Sequence, residues 1–197
     1  MEPMVTGQPA AARGTKNNEQ GSTILEFALV AVVLFVLIFG LIEGGLLVRA
    51  RNAMNSTADE AARRGAIAAN DPAADWMILQ QLRARGALAA ADVNYVVVYL
   101  AADGAALPSE TCLAGTPVDG ECNVYERADF EIAASAFNCS DAGLDANWCP
   151  TDRAADTTAF ESLGVWIDAT YTGFSHVFGD VGLNAGSAQP IEGSGGV

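Results

Sequence analysis

The chain has 197 residues, enough for one membrane anchor and one modest domain. Its formal charge is −14, and residues 1–21 add nothing to it, because Glu2 and Glu19 offset Arg13 and Lys16. All of the net charge lies beyond Gly21, where lysine is absent; nucleic acid and anionic lipid heads are held through Lys and Arg on phosphates, so the balance argues against nucleic acid as a partner.

Residues 1–20 are polar and lack periodicity, which predicts a disordered leader. The run Phe27–Ile42 (FALVAVVLFVLIFGLI) carries no charge, and beyond Glu43 the apolar character continues to Val48. As a helix, Phe27–Val48 would be roughly 33 Å long at about 1.5 Å per residue, the depth of a bilayer's hydrocarbon core. A core helix of a soluble protein would show a polar stripe; this run has none, so a membrane-spanning helix is expected.

The helix is expected to continue past the membrane through RARNAMNSTADEAARRGAIAAN. Ala50, Ala53/Met54, Thr57/Ala58, Ala61 and Gly65 recur every three or four residues, a narrow stripe of small side chains suited to close packing. Asn70-Asp71-Pro72 predicts a stop, with Asp71 capping a second helix over about 72–90. That helix places Trp76, Leu79 and Leu82 on one face, with Arg83 and Arg85 near its end. DVNYVVVYLA is β-branched and aromatic and reads as a strand ended by Asp103-Gly104. Residues 104–160 read as a long irregular section. Alternation in LGVWIDATYTG (163–173) predicts another strand, and a weaker one near 182–189 precedes a Gly/Ser-rich tail. The expected fold class is α+β: a single N-terminal transmembrane helix continuing into a long helix packed on a small antiparallel sheet, with a disulfide-bonded loop region.

Cys112, Cys122, Cys139 and Cys149 all follow the apolar run. None has the C-x-x-C spacing of a zinc site or dithiol catalyst, so no metal is expected. Two small loops closed by Cys112–Cys122 and Cys139–Cys149 are the better reading; the other two connectivities stay open. Each loop would contribute on the order of 2–3 kcal/mol. Disulfides imply an oxidising compartment, so the domain is expected outside the cytoplasm. The arginines conflict with this. Arg13 and Lys16 precede the helix, whereas Arg49, Arg51, Arg63 and Arg64 follow it, and the positive-inside rule alone would reverse the orientation.

Enzymatic chemistry has little support, and no catalytic residue or cofactor is expected. Ser175-His176 are neighbours in sequence, which does not make a nucleophile–base pair. Asp141, Asp145 and Asp152 lack the order of a calcium loop, and no Gly-rich phosphate loop occurs. Asn55-Ser56-Thr57 and Asn138-Cys139-Ser140 match glycosylation acceptors, a pattern short enough to arise by chance.

The stretch before the apolar run is more specific. A secretory signal peptide would place its small-residue cleavage site after the run; here Gly21 stands before it, with Glu26 five residues on. The order Gly21-Ser22, Glu26-Phe27, then the apolar run resembles the leader of type IV pilins and pseudopilins. Residues 20–66 resemble more closely the TadE-like family, minor pseudopilins of the tight-adherence (Flp) pilus. The family's E-F, F-G-x-x-E and A-R-N-A blocks stand at Glu26-Phe27, Phe39-Gly40-Leu41-Ile42-Glu43 and Ala50-Arg51-Asn52-Ala53. The C-terminal SAQPIEGSGGV departs from the family by lacking a basic residue.

This resemblance implies a pilin-like fold and a structural role rather than an enzyme. It implies a leader (1–21) cut by a prepilin peptidase between Gly21 and Ser22, a transmembrane helix (22–48) and an extracytoplasmic domain (49–197). It implies other pilins or pseudopilins, an inner-membrane assembly platform and membrane lipid as partners. Glu26 would then neutralise a neighbour's Ser22 amine and set register with Phe27. Gly40 and Gly44 have the spacing for close helix contact around Glu43. The competing expectation is an uncleaved, signal-anchored binding module with an acidic surface.

Overall fold

The computed structural model describes residues 18–68, 70–84, 91–101, 107–153, 161–173 and 179–191, with side chains from Ser22 onward. It divides into two units, residues 1–42 and 43–197.

The first unit is the N-terminal part of helix α1 (Asn18–Ala68). Its Val, Leu, Ile and Phe side chains satisfy no internal core. The most apolar window of α1 has a mean hydropathy of 2.9, and none of that window is buried. Phe27 is 74% exposed and Leu41 78%. A helix satisfies its own backbone polar groups, which is what hydrocarbon demands of any segment crossing it. α1 is therefore long and apolar enough to span a membrane, and its bareness argues against a soluble core helix.

In the second unit, four strands form one antiparallel sheet among the described residues: β1 (Asp92–Ala101), β2 (Cys122–Glu126), β3 (Ser162–Thr172) and β4 (Asp180–Pro190). The order is β2-β1-β3-β4. β1 covers the DVNYVVVYLA segment, and its valines suit a pleated surface covered on both sides. A register irregularity between Val93 and Tyr95 shifts the alternation, so Val93, Val96 and Val98 share one face while Val97, Tyr99 and Ala101 share the other.

The first face carries the main core. There the later part of α1 presents Ala50, Met54, Ala58, Ala61 and Ala62, and α2 (Ala74–Ala84) presents Ile78, Leu79 and Leu82. The small-residue stripe expected from the sequence is buried, and Gly65 shows why it is small. A Cβ there would lie 2.6 Å from Ile78 Cδ1 and 2.9 Å from a Leu163 methyl. Asp71 starts α2 as expected, accepting the Ala73 N–H at 2.8 Å. Asp59 on α1 accepts hydrogen bonds from Ser187 and Gln189, tying the helix to β4.

The second face is covered by the first disulfide loop and the short helix α3 (Glu110–Leu113). Tyr99 lies over Gly164, its direct partner on β3, where any Cβ would collide with the ring. Burial pushes the Tyr99 phenol up to about 12. Tyr95 donates to the Leu113 carbonyl at 2.5 Å, anchoring α3.

Between residues 107 and 153 the structure holds more order than the sequence suggested. It contains β2 and three 3-10 turns, Arg127–Glu131, Ala134–Ala136 and Pro150–Asp152. Five residues are too few for a convincing alternation, and β2 turns Asn123 and Tyr125, two polar side chains, toward the core. β4 is also longer than the expected 182–189. Residues 85–90, Asp103-Gly104 and Ser175-His176 lie outside the described residues.

Candidate assembly segment and the lock behind it

Gly21, Ser22, Glu26 and Phe27 all lie on α1. Ser22, Glu26 and Phe27 are exposed, and Glu26 has no ion-pair partner among the described residues. A carboxylate at the start of an apolar helix is costly to carry into lipid without a counter-charge. What it can do chemically is accept charge-assisted hydrogen bonds from an amine or guanidinium brought by another molecule.

Gly40 lies in the first unit, and Glu43 and Gly44 lie in the second. A Cβ at Gly44 would meet nothing within 4 Å, so no contact among the described residues requires glycine there. Glu43 belongs to the folded unit and is 1% exposed. Its carboxylate fills the space beside Gly173, just after β3, where a Cβ would overlap it. Glu43 stands within the segment 22–48 expected to span the membrane, and in the structure it packs within the folded unit against Gly173.

The cysteines pair as expected, Cys112 with Cys122 and Cys139 with Cys149. The first covers the second face of the sheet. The second closes a tight loop in which Cys139 has a left-handed backbone, φ 57°. Asp145, fully buried, braces that loop by accepting the N–H groups of Asn138 and Cys139 at 3.0 and 2.9 Å. Asn138 is itself used inside the loop, accepting from the Ser140 N–H and hydroxyl.

Sequence reasoning missed the polar centre of the domain. Asp75 on α2 and Arg153, just past the second disulfide, form an ion pair at 2.7 Å with both side chains wholly buried. The other Asp75 oxygen accepts from Tyr125 at 2.6 Å, Asn123 at 2.9 Å and Arg153 at 2.8 Å. Asn123 also accepts the Trp148 N–H and donates to its carbonyl. The Arg153 guanidinium lies 4.1 Å above the Trp148 ring. Burial, followed by the Asp75 carboxylate, pushes the Tyr125 phenol well above its usual value. These contacts staple the second disulfide loop to α2 and β2. One signal was legible: Asp75 precedes Ile78 and Leu79 by three and four residues, so it stands on the face that α2 buries, and a buried acid needs a partner. Nothing local marked Arg153 as that partner.

A helix α1 with a bare apolar half and a half buried on an antiparallel sheet defines an α+β protein with one helix long and apolar enough to span a membrane. The model of the family described as TadE-like protein matches residues 21–63, bearing out the resemblance read over residues 20–66. The match covers the exposed segment and most of the small-residue stripe of α1. No curated protein and no solved structure matches the chain.

Proposed function

We propose that this chain is a TadE-like minor pseudopilin, a structural component of a Tad (Flp-type) pilus or its assembly machinery, with no catalytic role. It is made with a leader, residues 1–21, that a prepilin peptidase removes between Gly21 and Ser22. Residues 22–48 span the cytoplasmic membrane with the N-terminus inside, and residues 49–197 lie outside, where disulfides persist. Other pilins or pseudopilins and the inner-membrane assembly platform are its partners.

The observation that carries this reading is the family match at residues 21–63 falling on a helix whose apolar half is bare. A subunit that polymerises through its helix keeps that surface free for neighbours. After cleavage the Ser22 amine is a new positive charge, and a neighbouring Glu26 neutralises it. Such a pair sets register more than it adds stability, because desolvation offsets much of the attraction. Gly40 and Gly44 leave room for a second helix to approach closely.

Mass spectrometry of the membrane-purified protein tests the processing step. A mature chain starting at Ser22 is expected; an intact Met1, or a cut after Val48, overturns the pseudopilin reading and favours an uncleaved anchor. Gly21→Leu should leave a larger, unprocessed species on a gel.

A further inference from the structure

Leu47, Val48 and Arg51 of α1 and Val181–Asn184 of β4 line a cleft of about 240 Å³, entirely within the second unit. Leu47, Val48, Val181 and Leu183 make its walls apolar, and Arg51 and Asn184 supply the polar side chains. Arg83, Arg127 and Arg153 each hold a carboxylate. Arg51 is exposed and holds none among the described residues, in a chain of net charge −14. Arg49 also lacks one but does not line the cleft.

The chemistry narrows what can enter. A guanidinium is a planar fork that matches phosphate oxygens two at a time. An apolar wall beside it suits an occupant whose phosphate is joined to hydrocarbon, which a free anion or an acidic peptide side chain does not provide. Leu47 and Val48 belong to residues 22–48, the segment proposed above to span the membrane, so on that reading the α1 side of the cleft stands at the end of the spanning segment. Net charge decides the type of headgroup. At physiological ionic strength the chain's negative field repels anionic lipid over about 8 Å, whereas a headgroup without net charge meets no such repulsion.

We propose that the cleft holds the phosphodiester of a zwitterionic membrane phospholipid, with Arg51 on the phosphate and Leu47, Val48 and Val181 against the glycerol and first acyl carbons. The bound lipid pins the start of β4 at headgroup level. This inference rests on the membrane anchoring proposed above.

The test uses the full chain in phosphatidylethanolamine nanodiscs, then native mass spectrometry after transfer to mild detergent. Wild type and Arg49→Gln are expected to retain one phospholipid. Arg51→Gln should retain about tenfold less, the loss expected for a charge-assisted contact. Free glycerophosphoethanolamine, which has the phosphate but no acyl chain, should not displace the lipid. Equal retention by Arg51→Gln and wild type overturns the site, as does equal loss in Arg49→Gln and Arg51→Gln. Displacement by the free headgroup, or retention of anionic lipid only, overturns the assignment of the occupant. A peptide found in place of lipid does the same. A chain that fails to enter nanodiscs at all defeats the anchor reading itself, an outcome distinct from insertion without lipid retention.

Discussion

The two halves of α1 are the same kind of helix used in opposite ways. In residues 24–42 the side chains are large and apolar and nearly all exposed; from Ala50 to Ala66 they are mostly small and the inward stripe is fully buried. Hydropathy alone would rank these halves in the wrong order for burial. The first half has the length and apolar character of a segment suited to hydrocarbon, where bulky side chains need no protein cover. The second half must bring its backbone close to α2 and β3, so bulk is excluded.

That contrast can be broken most severely from behind the second half. Arg153→Met leaves the buried Asp75 with Tyr125 and Asn123 but no counter-charge, and should cost about 3–5 kcal/mol of domain stability, read as a lower denaturation midpoint of the full chain in detergent. Gly65→Val comes next. The new methyls fall where Ile78 and Leu163 already pack, and overpacking should cost about 1–3 kcal/mol by the same measurement. A substitution at another glycine of α1, ahead of the buried stripe, sharpens the contrast: Gly44→Ala meets no atom within 4 Å and should change domain stability by no more than about 0.5 kcal/mol. If Gly44→Ala destabilised the domain as much as Gly65→Val, the division of α1 would be wrong.

A pH series tests the buried side without mutation. Tyr99 and Tyr125 have folded pKa values raised above the unfolded value of 10.0, Tyr99 to about 12. Below pH 10 both states are protonated and these groups impose no pH dependence. Above it the unfolded chain loses these protons first, so stability should fall as pH rises toward 12, and tyrosinate absorbance should rise together with unfolding. Tyrosinate forming well before the domain unfolds would show that these phenols are not held as described. The smallest stability effect is expected for Glu26→Gln, which should leave the domain's midpoint unchanged while abolishing incorporation into pili. Normal incorporation would refute its role in register.

Much of the candidate segment could be read without coordinates. Gly21, Glu26-Phe27 and the apolar run are contiguous, and their meaning comes from order along the chain. The strand of DVNYVVVYLA was legible from its β-branched and aromatic residues, and that of LGVWIDATYTG from alternation. β2 was not, because CNVYE is short and owes its place to pairing with β1. Glu43 was legible as an anomalous charge, but its neighbour Gly173 lies far along the chain.

By itself, then, the sequence determined the features set by local periodicity: a helix long and apolar enough to span a membrane, a small-residue stripe and two long strands. Tertiary structure alone decided the strand order, the pairing of Asp75 with Arg153, the placement of Glu43 against Gly173 and the cleft between Arg51 and β4. Each of these joins residues distant in sequence, and a buried charge or a missing Cβ acquires its meaning only from the atom across the gap.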